Sequence, residues 1–220
     1  MLKQFSNVFL LLVVVSSASA ATIHADSYVV SVQTADNKTI CGGALIGKNT
    51  VVTSATCLAF YDADQLAVGI NNGSQIIKTK AHSFKVDFDF VTMENDVAIL
   101  KLAESVDTSF IKLASKKRKT GCTAVVISPN LNKVPVTIIN YKECVSGDYG
   151  WSEDDVFSTM VCGLVKENNV CVGQAGSPLV HKNKLIGLVS WGGCGNNGHP
   201  AVFTDITAFQ SWIKQTTKQL

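Results

Sequence analysis

Residues 171–180 read CVGQAGSPLV, a segment that starts on a cysteine, runs into an apolar strand-like tail and sets glycines on both sides of a central position. Such a position suits a reactive side chain, because flanking glycines let the backbone turn sharply and leave the residue between them uncovered. It holds Ala175. A methyl group can neither attack an electrophile nor pass on a proton. The remaining covalent chemistry belongs to 7 cysteines, an odd count that leaves at least one thiol without an intramolecular partner. Cys and His pairs at zinc-site spacing are absent, so no metal and no cofactor is expected.

The elements that would position these residues are strands. Short runs rich in Val, Ile, Thr and aromatics alternate with Gly, Asn, Asp and Ser: YVVSVQ (28–33), ALIGKNTVVTSA (44–55), QIIKTKAHSF (75–84), DVAILKL (96–102), TAVVIS (123–128), VPVTIINY (134–141) and KLIGLVSW (184–191). Their lengths and spacing predict an antiparallel all-β sandwich or barrel. Helical periodicity is clear only at the end, where Ile206, Phe209, Trp212 and Ile213 share one face of a segment capped by Thr204 or Asp205. No internal repeat is detectable. SKKRKTG (115–121) divides the strands into two similar groups, as a solvated linker between β-modules would. Lys116, Lys117, Arg118 and Lys119 would alternatively form a docking patch for an acidic glycan or protein, or a processing site.

The first twenty residues pair an early lysine with an apolar run, Val8 to Val15, and end in ASA, which predicts a signal peptide cleaved after Ala20 and a secreted product. That apolar run is too short to span a bilayer, and no other stretch is a candidate. A cysteine-rich secreted chain implies a disulfide framework. The formal net charge of +2 argues against nucleic acid or anionic membrane as partners. Asn37-Lys38-Thr39 and Asn72-Gly73-Ser74 are sequons, available for glycosylation if exposed.

CGGALI (41–46), VVTSATC (51–57), NDVAILKL (95–102), CVGQAGSPLV (171–180), GLVSWGGCG (187–195) and HPAVFTDITAFQSWI (199–213) together resemble the trypsin and chymotrypsin family of serine proteases, in the family's order and across nearly the whole chain after residue 20. The resemblance implies two packed six-stranded antiparallel Greek-key barrels, at about 28–113 and 114–206, with a C-terminal α-helix at about 205–219. It also implies a Ser–His–Asp site, in which histidine takes the serine proton and aspartate orients the histidine. The aspartate position is Asp96; the histidine of TAAHC is replaced by Thr56 and the serine of GDSGGP by Ala175. Gly173, one oxyanion donor position, is kept, whereas the aspartate that pairs with a freed N-terminus in active members is replaced by Gln174. No Ile-Val-Gly-Gly precedes the strands, so a zymogen step is not expected. These departures point to a catalytically inactive homologue.

Other family positions complete the expected cleft. Ser190, Trp191 and Gly192 match the edge that pairs with a peptide backbone, Asn169 the base of the specificity pocket, and Ala201 a wall position usually held by glycine. By the same resemblance Cys41 pairs with Cys57, Cys144 with Cys162 and Cys171 with Cys194, leaving Cys122 unpaired as a buried thiol or an intermolecular bridge. The calcium loop of some members has no acidic counterpart in GINNGSQ (69–75). Ser177 is not expected to replace the lost nucleophile, since neighbouring strand positions diverge, and His24, His82, His181 and His199 read as surface or packing residues. The implied function is a secreted binding, decoy or regulatory protein whose ligand is a protease, an inhibitor or a protease substrate. The alternatives are a weak or unorthodox hydrolase and a scaffold for polyanions.

Overall fold

The structure, a computed structural model, describes residues 26–165, 170–193 and 198–220. The expected signal peptide, His24, Asn169 and Cys194 lie outside the described residues.

Six strands form the first barrel: β1 (Val29–Thr34), β2 (Thr39–Gly47), β3 (Thr50–Thr53), β4 (Leu66–Ile70), β5 (Gln75–Phe84) and β6 (Ala98–Leu102). They close in the order β1-β2-β3-β6-β5-β4, every pairing antiparallel. Residues 44–55, which read as one run in the sequence, are the end of β2, a turn and β3. The hairpin between β4 and β5 turns through Asn71, Asn72 and Gly73 at φ 50°, 58° and 79°. Three successive left-handed residues are feasible because Asn and Gly tolerate that region best.

The second sheet holds β7 (Lys112–Leu113), β8 (Thr123–Ile127), β9 (Lys133–Ile139), β10 (Met160–Val165), β11 (Pro178–His181), β12 (Lys184–Trp191) and β13 (Ala201–Asp205). Strands β8-β9-β10-β13-β12-β11 form a six-stranded ring closed by the β11–β8 pairing. The ring repeats the strand order of the first barrel. Outside it, β7 pairs in parallel with the start of β12, so Lys112 and Leu113 already belong to the second sheet.

Burial explains why these runs close. Leu45, Leu66, Ile99 and Leu100 fill the first barrel and Ile138, Leu179 and Phe203 the second, all nearly inaccessible. Each contributes about 1.5–3 kcal/mol of transfer free energy. One apolar cluster crosses between the barrels, joining Leu45 and Leu100 to Leu185, Leu188 and Ile206. The terminal segment differs in detail from its periodicity. The Asp205 side chain accepts from the Thr207 amide at 2.9 Å and caps a 3-10 turn, Ile206–Ala208, and only then does α2 (Gln210–Gln219) begin. Ile206, Phe209 and Ile213 anchor this segment in the core.

Candidate functional site

The positions that the resemblance singled out meet where the two barrels join. Thr56 lies on a 3-10 turn, Ala55–Cys57, that leaves β3 and is held to β2 by the Cys41–Cys57 disulfide. Asp96 lies two residues before β6 and is only 1% exposed. The second barrel contributes Gly173 and Ala175 from the turn entering β11, and Ser190 and Trp191 from the end of β12. Two contacts tie the halves together: the Gly42 amide donates to the Ala175 carbonyl at 2.8 Å, and the Ser54 hydroxyl donates to the Val189 carbonyl at 3.0 Å.

Asp96 is the centre of this polar network. Its Oδ1 accepts from the Thr56 amide at 2.9 Å and the Thr56 hydroxyl at 3.4 Å, and its Oδ2 accepts from the Ser190 hydroxyl at 2.6 Å. The Thr204 hydroxyl donates to the Asp96 carbonyl at 2.7 Å. Among the described residues no cation pairs with this carboxylate. Burial pushes its pKa above the ordinary 3.8, against the opposing pull of the hydrogen bonds from Ser190 and Thr56. The carboxylate therefore orients two hydroxyls, neither of which takes up a proton near neutral pH.

The turn at Ala175 requires its glycines. Gly176 sits at φ 77°, and a Cβ there would lie 2.3 Å from both the Gly42 carbonyl oxygen and the Thr53 hydroxyl. Gly173 has φ 130°. Among the described residues neither the Gly173 nor the Ala175 amide donates to a backbone acceptor. Ser177 is fully buried beside the backbone of Gly42, and among the described residues its hydroxyl has no hydrogen-bond partner and no histidine bonds to it. His82 bonds the Tyr61 carbonyl at 2.8 Å, His181 the Thr123 carbonyl at 2.7 Å, and the His199 ring rests 4.8 Å from that of Trp151.

Gln174 is exposed and lines a cavity of about 730 Å³ with Ser31, Gln33, Asn72, Asn130 and Gly173. This lining is uncharged. On the other side Trp191 meets Trp151 edge to face at 5.0 Å, and Gly192 is exposed at φ 71°. The Ala201 methyl is buried where a Cβ on Gly193 would approach it to 2.5 Å, so it occupies space that a glycine would leave open. No local signal marks the Trp151–Trp191 contact or the hydrogen bonds that Ser190 and Thr204 make to Asp96, because they join residues far apart in the chain.

The cysteines fall mainly as the resemblance implied. Cys41–Cys57 and Cys144–Cys162 are bonded, the latter fastening α1 (Tyr141–Cys144) to β10. Cys171 is disulfide-bonded, and Cys194 lies outside the described residues. Cys122 is a free thiol, half-buried rather than buried, and burial raises its pKa. Asn37 and Asn72 are both exposed. Of the basic run, Lys116, Lys117 and Lys119 are exposed and Arg118 is half-buried. Among the described residues no group of three or more metal-ligating side chains assembles, and no helix is long and apolar enough to cross a membrane.

Comparison with known proteins places this geometry. The Trypsin family model matches residues 15–213. A trypsin of Sarcophaga bullata is 36% identical, the match covering 90% of this chain and 87% of that protein. Trypsin theta of Drosophila melanogaster is 35% identical, covering 90% and 84%. Among solved structures, kallikrein-related peptidase 10 superposes with a TM-score of 0.75 at 26% identity, over 89% of this chain and 97% of its own.

Proposed function

Because the chain belongs to the trypsin family of serine proteases, we propose that it is a secreted member that has lost proteolysis and kept the cleft as a binding surface. The observation that carries this reading is Thr56: it occupies the base position and satisfies Asp96 with an amide and a hydroxyl. Proteolysis in this family needs a base to take the serine proton and a nucleophile to attack. Here the base position has no group that titrates near neutral pH and the nucleophile position is a methyl. Losing either function costs about 10⁶ in turnover, roughly 8 kcal/mol of transition-state stabilisation. Peptide binding needs neither, since an extended chain can add to the edge at Ser190–Gly192 through backbone hydrogen bonds. The ligand is a protein or peptide: a protease, an inhibitor loop or a protease substrate.

The rival reading, a residual hydrolase, draws on the relatives, which are named trypsins. One pair of measurements separates the two. Purified protein is incubated with a serine-directed phosphonate probe and a mixed peptide library, and binding of a protease-inhibitor loop is followed by calorimetry. Saturable loop binding without labelling or cleavage supports the proposal. Covalent labelling in the cleft, or cleavage abolished by a cleft substitution, establishes the hydrolase instead, and absence of any loop binding removes the binding role.

A further inference from the structure

The basic linker closes over a cavity of about 290 Å³ between the second barrel and α1. Its lining includes four cations, Lys116, Lys117 and Arg118 from the linker and Lys142 from α1, and one carboxylate, Asp205. Lys117 is already engaged: its ammonium donates to the Ser158 carbonyl at 2.8 Å and stands 3.4 Å from Asp205. Asp205 in turn spends its other oxygen capping the terminal 3-10 turn. Lys116 and Lys142 are exposed and have no acceptor among the described residues. Arg118 is half-buried, and its Nε has no hydrogen-bond partner among the described residues. A planar guanidinium with an unused donor suits a carboxylate-like anion of matching geometry. The rest of the lining includes Met160, Val161 and Ile186, all of them buried and apolar.

From this combination we propose that the cavity binds a small amphipathic anion, one acidic head on an apolar chain, with Arg118 as the principal partner of the head, Lys116 and Lys142 as supporting charges, and Met160, Val161 and Ile186 as the seat of the tail. None of the cleft residues takes part, so this site is independent of the peptide-binding reading. An acidic glycan would meet the cations but gain nothing from the apolar seat, and a neutral lipid would leave Arg118 unpaired.

The test is titration calorimetry of the full chain with decanoate below its micellar concentration, alongside decyltrimethylammonium and a heparin oligosaccharide. Decanoate is expected to bind one to one, and decyltrimethylammonium not at all. Arg118→Gln is expected to weaken decanoate at least about tenfold, as loss of a charged hydrogen bond does. Lys116→Gln with Lys142→Gln, at two exposed positions, is expected to weaken it about threefold or more through the lost field. Absence of saturable decanoate binding, or binding that neither variant weakens, overturns the proposal. So does heparin oligosaccharide binding sensitive to these residues while decanoate fails, which assigns the patch to polyanions.

Discussion

Replacing Asp96 by asparagine tests the electrostatics of the cleft most directly. The carboxylate is 1% exposed and accepts hydrogen bonds from the Thr56 amide, the Thr56 hydroxyl and the Ser190 hydroxyl, with no cation against it among the described residues. Hydrogen bonds to a charged acceptor contribute about 1.5–3 kcal/mol each, while taking a carboxylate out of water costs several kcal/mol. Burial is the larger influence on Asp96 and raises its pKa. The folded protein therefore holds a proton on Asp96 at pH values where the unfolded chain has released it. Asp96 contributes its full stability below about pH 4, and that contribution is lost as pH rises through the raised folded pKa. Asparagine keeps an acceptor for the Thr56 amide, offers a donor toward Ser190 and never ionises. Urea unfolding of both proteins from pH 4 to pH 8 is expected to give nearly equal stability at the acid end. The variant should then gain on the parent by at most about 1.4 kcal/mol per pH unit, the limit for one proton. The gain is expected to accumulate toward pH 7 and to appear as a larger Tm advantage of the variant over the parent there than at pH 4. If the parent instead gains on Asp96→Asn as pH rises, the carboxylate has a depressed pKa and the account of an unpaired buried charge is wrong.

The double substitution Thr56→His and Ala175→Ser is expected not to restore brisk hydrolysis, because exposed Gln174 offers no charge to fix the oxyanion turn; peptide turnover approaching that of a trypsin would refute this. Gly176→Ala is expected to lose about 3 kcal/mol or more in urea unfolding, since a Cβ would meet backbone and hydroxyl oxygens at 2.3 Å in a left-handed residue. Reduction-free titration with an aromatic disulfide reagent should find one thiol, Cys122, reacting slowly at pH 7 and faster as pH rises, because burial holds its pKa up; fast reaction at pH 7 would contradict that cause.

Several elements were legible because their signal is local. QIIKTKAHSF and KLIGLVSW are β5 and β12 residue for residue, since β-branched and aromatic runs bounded by turn residues need no distant information. LAVGI, which forms β4, was missed because all five residues are buried and alternation is absent. Strand β7 is two residues long and is defined only by pairing with β12 across more than seventy positions. The same holds for the site: Thr56 and Ala175 are written in the residues, whereas Ser190 as the partner of Asp96, 94 positions away, is not.

The chain by itself determined which side chains are present to do chemistry here, because a methyl has neither lone pair nor exchangeable proton in any environment and a hydroxyl needs a base beside it to become a nucleophile. Only tertiary structure decided what surrounds them: that the two barrels repeat one strand order without a repeated sequence, that Asp96 is sealed from water with no cation against it among the described residues, and that a basic linker lines a cavity floored by apolar side chains. Strand order, burial and field are properties of distances between residues remote in sequence, and those distances exist only once the chain has folded.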